Sequence, residues 1–248
     1  MSRYSPPPVQ YSFGPGGITP AVRALLFVNV IAYLATMAAP GVMVSLFGLT
    51  PQLVFEQLRV WQIASYLFIH DPGGFTHILF NMLALWMFGV DLERRWGTEA
   101  FTKYYFVTGV GAGLASLLAA LLPFEATRST YSIPTIGASG AIYGLLLAWA
   151  LLFPHRRILF MFIFPLPARA AAALMGGMAF LAAISGRNSG VAETAHLAGM
   201  IAGWIYLKGP TDLRLQLKYR MTKWRMDRMR RKFGIHKGGR DDWDRWIH

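Results

Sequence analysis

The chain has 248 residues, of which 54% are hydrophobic and only 15% are charged, whereas a soluble domain has about 25% charged residues. Together with long uncharged runs, this composition excludes an ordinary soluble domain and indicates a polytopic membrane protein of the all-α class. The net charge is +12, but thirteen of the 24 Lys and Arg residues lie beyond the last apolar run, in 208–248, so we do not expect a nucleic-acid partner. The absence of cysteine excludes disulfides and cysteine-ligated metal.

Residues 1–19 are rich in Pro and Gly and predict a flexible N-terminal tail without the pattern of a secretory signal peptide. The apolar runs that follow predict a bundle of six transmembrane helices within 20–207. Their expected bounds are about 21–39, 75–92, 104–122, 139–153, 168–184 and 192–207.

Two connections are too apolar for ordinary loops. The first, 40–74, predicts a partly helical element lying on the membrane, with Trp61, Tyr66 and Phe68 suited to the interface. The second, Ile158 to Pro167, is broken by two prolines and predicts a short return at the interface. Residues 208–248 are predicted to form a basic tail. The sequence is compatible either with contact between this tail and anionic membrane lipid or with a disordered tail in solution.

Six spans put both termini on the same side of the membrane. Lys and Arg concentrate in the tails and in the loops on that side, so the positive-inside rule predicts cytoplasmic termini. A six-span core without a presequence is typical of a bacterial plasma membrane, which is our expected location.

Few polar side chains interrupt the predicted spans. Among them are His77 and Asn81 in the second, Ser139 at the start of the fourth and His196 in the sixth. Counted from the cytoplasmic anchors, all four lie roughly 18–25 Å deep in a hydrocarbon core of about 30 Å. Polar groups at one depth usually face a bundle interior or a wet cavity.

The fourth span is too short for a full crossing, so Ser139 should lie at a helix N-terminus below the outer surface. The free N–H groups there would suit a developing oxyanion. Small residues around Ser139 also suit close helix packing, and this stretch alone leaves packing and catalysis open.

Four short motifs follow one another along the predicted spans. In chain order they are His77 with Asn81, then Gly89, Glu93 and Gly97, then Gly137, Ser139 and Gly140 with Tyr143, and finally Ala195 to Gly203 with His196, Gly199 and Gly203. Together they resemble the motifs of the rhomboid intramembrane serine proteases, and the resemblance covers roughly 21–207.

The resemblance implies a Ser–His dyad, in which Ser139 is the nucleophile and His196 the base. His77, Asn81 and the Ser139 backbone N–H would line the oxyanion hole. Tyr143 would pack under the histidine, and Glu93 would have a structural role near the base of the first loop.

By the same resemblance, the substrates would be transmembrane helices of single-pass membrane proteins, and no metal or cofactor would be needed. The chain departs from the family at Gln62, which follows Trp61 where the family often has Arg.

Several other readings compete. A non-catalytic relative that binds transmembrane helices as a chaperone or quality-control factor is the main alternative, but such relatives lose the serine or the histidine. A small transporter or channel would leave the glycine–serine motif unexplained. Glu193, one turn before His196, is not expected to act directly in catalysis, and His70 with Asp71 is more typical of a polar loop than of a metal site.

Overall fold

The computed structural model describes residues 14–122, 129–160, 163–184, 191–209, 221–226 and 228–229. The chain divides into two units, 1–207 and 208–248, which are described separately. The helices of the first unit are α1 Pro20–Ala38, α2 Pro40–Phe47, α3 Pro51–Gln57, α4 Gln62–Ser65, α5 Phe75–Trp96, α6 Thr98–Ala120, α7 Ser139–Leu152, α8 Ala168–Ile184 and α9 Val191–Lys208, with 3₁₀ turns at Tyr66–Phe68 and Ser129–Tyr131.

Each of the six predicted spans falls on a helix, namely α1 and α5 to α9. Among the described residues, α1 and α5 are long and apolar enough to cross a membrane, while α7 and α8 are apolar but shorter. The number of spans therefore stays a prediction.

The helices α5 and α6 are longer than the apolar runs that predicted them. α5 continues through Glu93 to Trp96, and α6 begins at Thr98, six residues before the predicted start. Gly97, with φ of +83°, is the whole connection. Hydropathy marked only the apolar part of each helix, whereas the charged turns beside Gly97 are helical as well.

The first connection, 40–74, is expected to be partly helical; in the structure it contains α2, α3 and α4, and the Gln62 side chain links its parts. The Gln62 amide is fully buried, where its Oε1 accepts the Thr50 N–H at 3.1 Å and its Nε2 donates to the Ser45 carbonyl at 2.9 Å. Leu49 also pairs with Thr135 through two backbone hydrogen bonds, which ties the connection to the segment before α7. The Gln62 side chain, at the position where the chain departs from the family pattern, thus joins separate parts of this connection by hydrogen bonds.

The predicted return at 158–167 is a β-hairpin, a feature that the all-α prediction omitted. Strands β1 Arg157–Phe160 and β2 Phe164–Pro167 are antiparallel, with Arg157 opposite Pro167 and Phe160 opposite Phe164. The two prolines remove N–H donors, which a two-stranded hairpin tolerates because each strand has a free edge.

At the centre of the first unit, α7 packs against α5, α6 and α8. At its far end, Trp149 Nε1 donates to Asp91 at 3.0 Å, and Arg156 forms an ion pair with the same carboxylate. The outer faces of other helices expose large apolar side chains, such as Phe27, Leu118 and Leu181. Such a surface suits a lipid environment.

Residues 14–19, predicted as part of a flexible tail, contact α5 in the structure. The Trp86 indole donates to the Gly16 carbonyl at 3.3 Å, and Arg94 donates to the Gly17 carbonyl at 2.8 Å. Residues 1–13 lie outside the described part.

In the second unit, residues 221–226 are helical, and the Arg228 guanidinium lies 5.4 Å from the centre of the Trp224 ring. Most of the predicted basic tail lies outside the described residues.

Candidate active site

Ser139 and His196 meet where the N-terminus of α7 faces α9. The Ser139 Oγ lies 2.8 Å from His196 Nε2, which is hydrogen-bonding distance, and both side chains are partly buried. The two residues are 57 positions apart in the chain, so only the packing of the two helices brings them together.

Glycines make this close packing possible. A methyl group added at Gly199 would overlap the Gly140 carbonyl on the facing helix. Gly203, one turn further along α9, packs against the Tyr104 hydroxyl, and a methyl at Gly144 would come within 2.6 Å of Thr108. The small residues expected to support the site therefore line the contacts among α6, α7 and α9.

Tyr143 lies one turn after Ser139 on α7 and contacts the histidine directly. Its ring is parallel to the His196 imidazole within 3°, with the ring centres 4.3 Å apart. This contact restricts rotation of the imidazole and leaves its Nε2 aimed at Ser139.

The candidate oxyanion residues lie beside Ser139 on α5 and on the turn before α7. Gly137 has φ of +113°, and a methyl group there would be 3.0 Å from His77 Nε2 and 3.8 Å from Ser139 Oγ. The His77 ring edge therefore faces the serine across Gly137. Asn81 is buried, and its Nδ2 donates one hydrogen bond to the His77 carbonyl at 2.9 Å, which leaves its second N–H available.

The amides at the start of α7 complete this side of the site. The Ile142 N–H bonds to the carbonyl of Ala138, the residue directly before α7, and so begins the hydrogen-bond ladder of the helix. The N–H groups of Ser139 and of the two residues after it are therefore left without intrahelical partners.

Two residues that support the site were named in the sequence analysis, but not as site residues. Tyr66, predicted as an interfacial aromatic, is buried instead; its carbonyl accepts the Gly137 N–H at 3.0 Å, and its hydroxyl donates to the Gly109 carbonyl at 2.7 Å. His70 is also fully buried, with its ring centre 5.2 Å from that of His77. Loop residues show no hydrophobic period, so the sequence held no signal for either burial.

The environment of His70 keeps its imidazole neutral. Burial and, to a lesser extent, the neighbouring His77 lower the pKa of His70 to about 4, against the opposing effect of the Phe68 carbonyl. The adjacent Asp71 is exposed and accepts the Gly73 N–H at 2.9 Å. No group of metal-ligating side chains is found among the described residues.

The resemblance implied a structural role for Glu93 near the base of the first loop. In the structure Glu93 does have structural contacts, but they are with the starts of α1 and α6. Its carboxylate accepts the backbone N–H groups of Ala21 and Val22 at 2.9 and 3.0 Å and the hydroxyls of Thr19 and Thr98 at 2.5 and 2.8 Å. A glutamate of α5 therefore caps the N-terminus of α1 and meets the start of α6.

Comparison with known proteins identifies the family. A model of the Rhomboid domain matches residues 57–209, more than half of the chain. The chain belongs to the rhomboid family. It is accordingly a membrane protein with protease relatives, and the family match covers α4 to α9 but not α1 and α2.

Three curated rhomboids illustrate the similarity. Rhomboid protein 1, mitochondrial, of Saccharomyces cerevisiae is 37% identical over 133 residues, covering 53% of this chain and 37% of that protein. Rhomboid protease AarA of Providencia stuartii is 30% identical over 177 residues, covering 62% and 59%. Rhomboid protease GluP of Bacillus subtilis is 28% identical over 158 residues, covering 64% and 27%. The chain thus spans between about a quarter and three fifths of these relatives.

Proposed function

We propose that this rhomboid is an intramembrane serine endopeptidase that cuts transmembrane segments of single-pass membrane proteins. The observation that supports this most directly is the 2.8 Å contact between Ser139 Oγ and His196 Nε2. The GluP and AarA relatives, both named as rhomboid proteases, support the same class of activity. No cofactor enters the proposed reaction.

In the proposed reaction, His196 Nε2 takes the hydroxyl proton as Ser139 Oγ bonds to the scissile carbonyl carbon. The carbon–nitrogen bond then breaks, and the leaving amine receives that proton from His196. A water molecule next attacks the acyl ester and gives its proton to Nε2. The ester bond breaks, the second peptide product leaves, and the proton returns to Ser139.

The negative charge on the carbonyl oxygen would be stabilised by the donors beside Ser139. They are the Ser139 backbone N–H, the free N–H of Asn81 and the edge of His77. The positive end of the α7 dipole adds to them, and such preorganised donors are worth most where water is excluded. No carboxylate is required to orient His196, because the Tyr143 ring already restricts the imidazole.

The proposed substrates enter the bundle sideways from the lipid. A helix shields its scissile carbonyls with its own hydrogen bonds, so we expect substrates with small or helix-weakening residues near the cut. We further propose cytoplasmic termini, because Lys and Arg concentrate on that side, and a bacterial inner membrane as the location.

Replacing Ser139 with alanine tests this function. The Ser139→Ala variant should lose at least about a thousandfold in cleavage of a model transmembrane substrate while keeping the wild-type melting temperature. A fluorophosphonate probe should label the wild type and not the variant. Ser45→Ala, at an exposed serine, is the matched control and should be labelled as the wild type.

Two results would contradict the proposal. Cleavage that persists in Ser139→Ala would show that another nucleophile or a contaminant is responsible. A folded wild-type protein that binds transmembrane segments but is not labelled would favour the non-catalytic chaperone reading.

A further inference from the structure

One carboxylate oxygen of Glu193, a residue of intermediate exposure, is buried without a partner among the described residues. The residue lies in the first turn of α9, three positions before His196. Its Oε2 accepts no hydrogen bond from any described residue, and the one ion pair of the described part, Arg156 with Asp91, does not involve it. A buried carboxylate oxygen without a donor is destabilising.

The helix dipole does not account for this glutamate. An acidic residue in a first turn favours the helix N-terminus, but an exposed carboxylate would do so without the loss of hydration. The position of Glu193 therefore indicates that its donor arrives from outside the described part of the chain.

Two observations relate this carboxylate to the dyad, namely its electrostatic effect on Tyr143 and its position one helical turn before His196. Its charge acts on the Tyr143 hydroxyl, and the Tyr143 ring stacks on His196. Three residues of helix separate the backbones of Glu193 and His196 by roughly 4.5 Å along the axis. A group bound to Glu193 would therefore lie about one helical turn from the reacting carbonyl.

The other acidic residue near the cleft is Asp71. It acts on His77 electrostatically, but its side chain is exposed, and its Oδ1 already accepts the Gly73 N–H. Asp71 contributes to the negative field, whereas the Oε2 atom of Glu193 also lacks a hydrogen-bond donor among the described residues.

We propose that Glu193 is a specificity-determining residue that binds a lysine or arginine side chain of the substrate near the scissile bond. This inference rests on the proposed protease function. A cation satisfies the buried oxygen and its charge together, which a neutral donor does only in part. Because an extended chain advances about 3.3 Å per residue, the basic side chain should lie within about three residues of the cut.

A substrate scan tests the assignment. A model transmembrane substrate carries Lys, Gln or Glu in turn at each of three positions on either side of the cut, and kcat/KM is measured in detergent. At one of these positions the wild type should cleave the Lys substrate about tenfold faster than the Gln substrate. The ratio should fall close to one in Glu193→Gln, whereas Asp71→Asn, the matched control, should keep most of it.

A charge exchange gives a second measurement. Glu193→Lys should prefer Glu to Lys at the same substrate position. Absence of a Lys preference in the wild type overturns the proposal, whatever the variants do. It is also overturned if Glu193→Gln keeps the full preference or if Asp71→Asn loses as much of it as Glu193→Gln does.

Peptide binding to Ser139→Ala separates this inference from the protease function. The Lys peptide should bind that variant about tenfold more tightly than the Gln peptide, and the added Glu193→Gln change should remove the difference. Failure of probe labelling at Ser139 would count against the protease function alone. Labelling and cleavage without a Lys preference would count against Glu193 alone.

Discussion

Replacing Gly199 with alanine tests how closely α7 and α9 must approach for the dyad to form. The new methyl carbon would lie 2.8 Å from the Gly140 carbonyl carbon and 3.3 Å from its Cα, with the carbonyl oxygen closer still. Carbon atoms in contact are about 3.5–4.0 Å apart, so the two helices would have to separate by about 1 Å. The clashing atoms of Gly140 belong to the backbone, so no change of side-chain rotamer can relieve the clash.

This separation would act directly on the reacting atoms. The distance from Ser139 Oγ to His196 Nε2 would grow from 2.8 Å to about 3.8 Å, beyond a hydrogen bond. We expect the labelling rate of Ser139 by a fluorophosphonate, and kcat/KM on a model substrate, to fall about a hundredfold, since a 1 Å misplacement in an active site costs about that much.

Gly177→Ala is the matched control for this substitution. Gly177 lies in the adjacent helix α8, and a methyl group there would meet nothing within 4 Å. This variant should keep the wild-type labelling rate and melt at the same temperature or slightly higher, because alanine is the better helix former. If Gly199→Ala is labelled as fast as Gly177→Ala, glycine packing does not set the dyad distance.

Three further predictions concern residues around the site. Glu93→Gln should lower the free energy of unfolding by about 2–4 kcal/mol, because an amide donor would face the N–H groups whose hydrogen bonds the carboxylate accepts. The melting temperature in detergent measures the loss, and Glu99→Gln, at an exposed glutamate, should melt as the wild type. Between pH 6.5 and 4, His70 binds a proton in the unfolded chain but not in the folded protein, so the free energy of unfolding should fall by about 2 kcal/mol from pH 7 to pH 5. A smaller fall in His70→Phe than in the control His155→Gln would confirm that His70 causes the pH dependence. An equal fall in the two variants would contradict it. Gly137→Ala should reduce the labelling rate of the serine, because its positive φ strains alanine by about 1 kcal/mol and the methyl would displace the adjacent ring; wild-type labelling would count against this.

The sequence predicted that Ser139 and His196 lie at a similar depth, because depth and helix face are local to each helix, whereas their pairing as a dyad was implied by the resemblance. Helical periodicity fixes the depth and the face of Ser139 and His196, and the glycines on those faces indicate where backbones approach. The short α7 was predictable in the same way, from an apolar run that ends too soon. These features depend on one helix at a time.

Contacts between distant segments were not predictable in this way. The partners of Glu93 lie 71 and 72 positions earlier, at the start of α1, and their meeting depends on how far α1 and α5 extend relative to each other. His70 and Tyr66 lie in a connection without a period, so neither burial nor orientation followed from their neighbours. The hairpin at 157–167 depends on pairing across a turn, which an apolar run broken by prolines does not specify.

Two groups of residues near the dyad are expected to have different effects: the glycine contacts among α6, α7 and α9, and Glu193 in the first turn of α9. Below Ser139, the junction of α6, α7 and α9 is built from glycine contacts and from the Tyr104 hydroxyl, which donates to the Gly144 carbonyl at 2.9 Å. Changes there should alter the distance between Ser139 and His196, and hence kcat for every substrate. Glu193 lies one turn away, in the first turn of α9, so under our proposal its replacement should change the ranking of substrates while the dyad distance stays fixed. Opposite results, with uniform loss at Glu193 and altered ranking at Gly199, would mean that one network of contacts controls both.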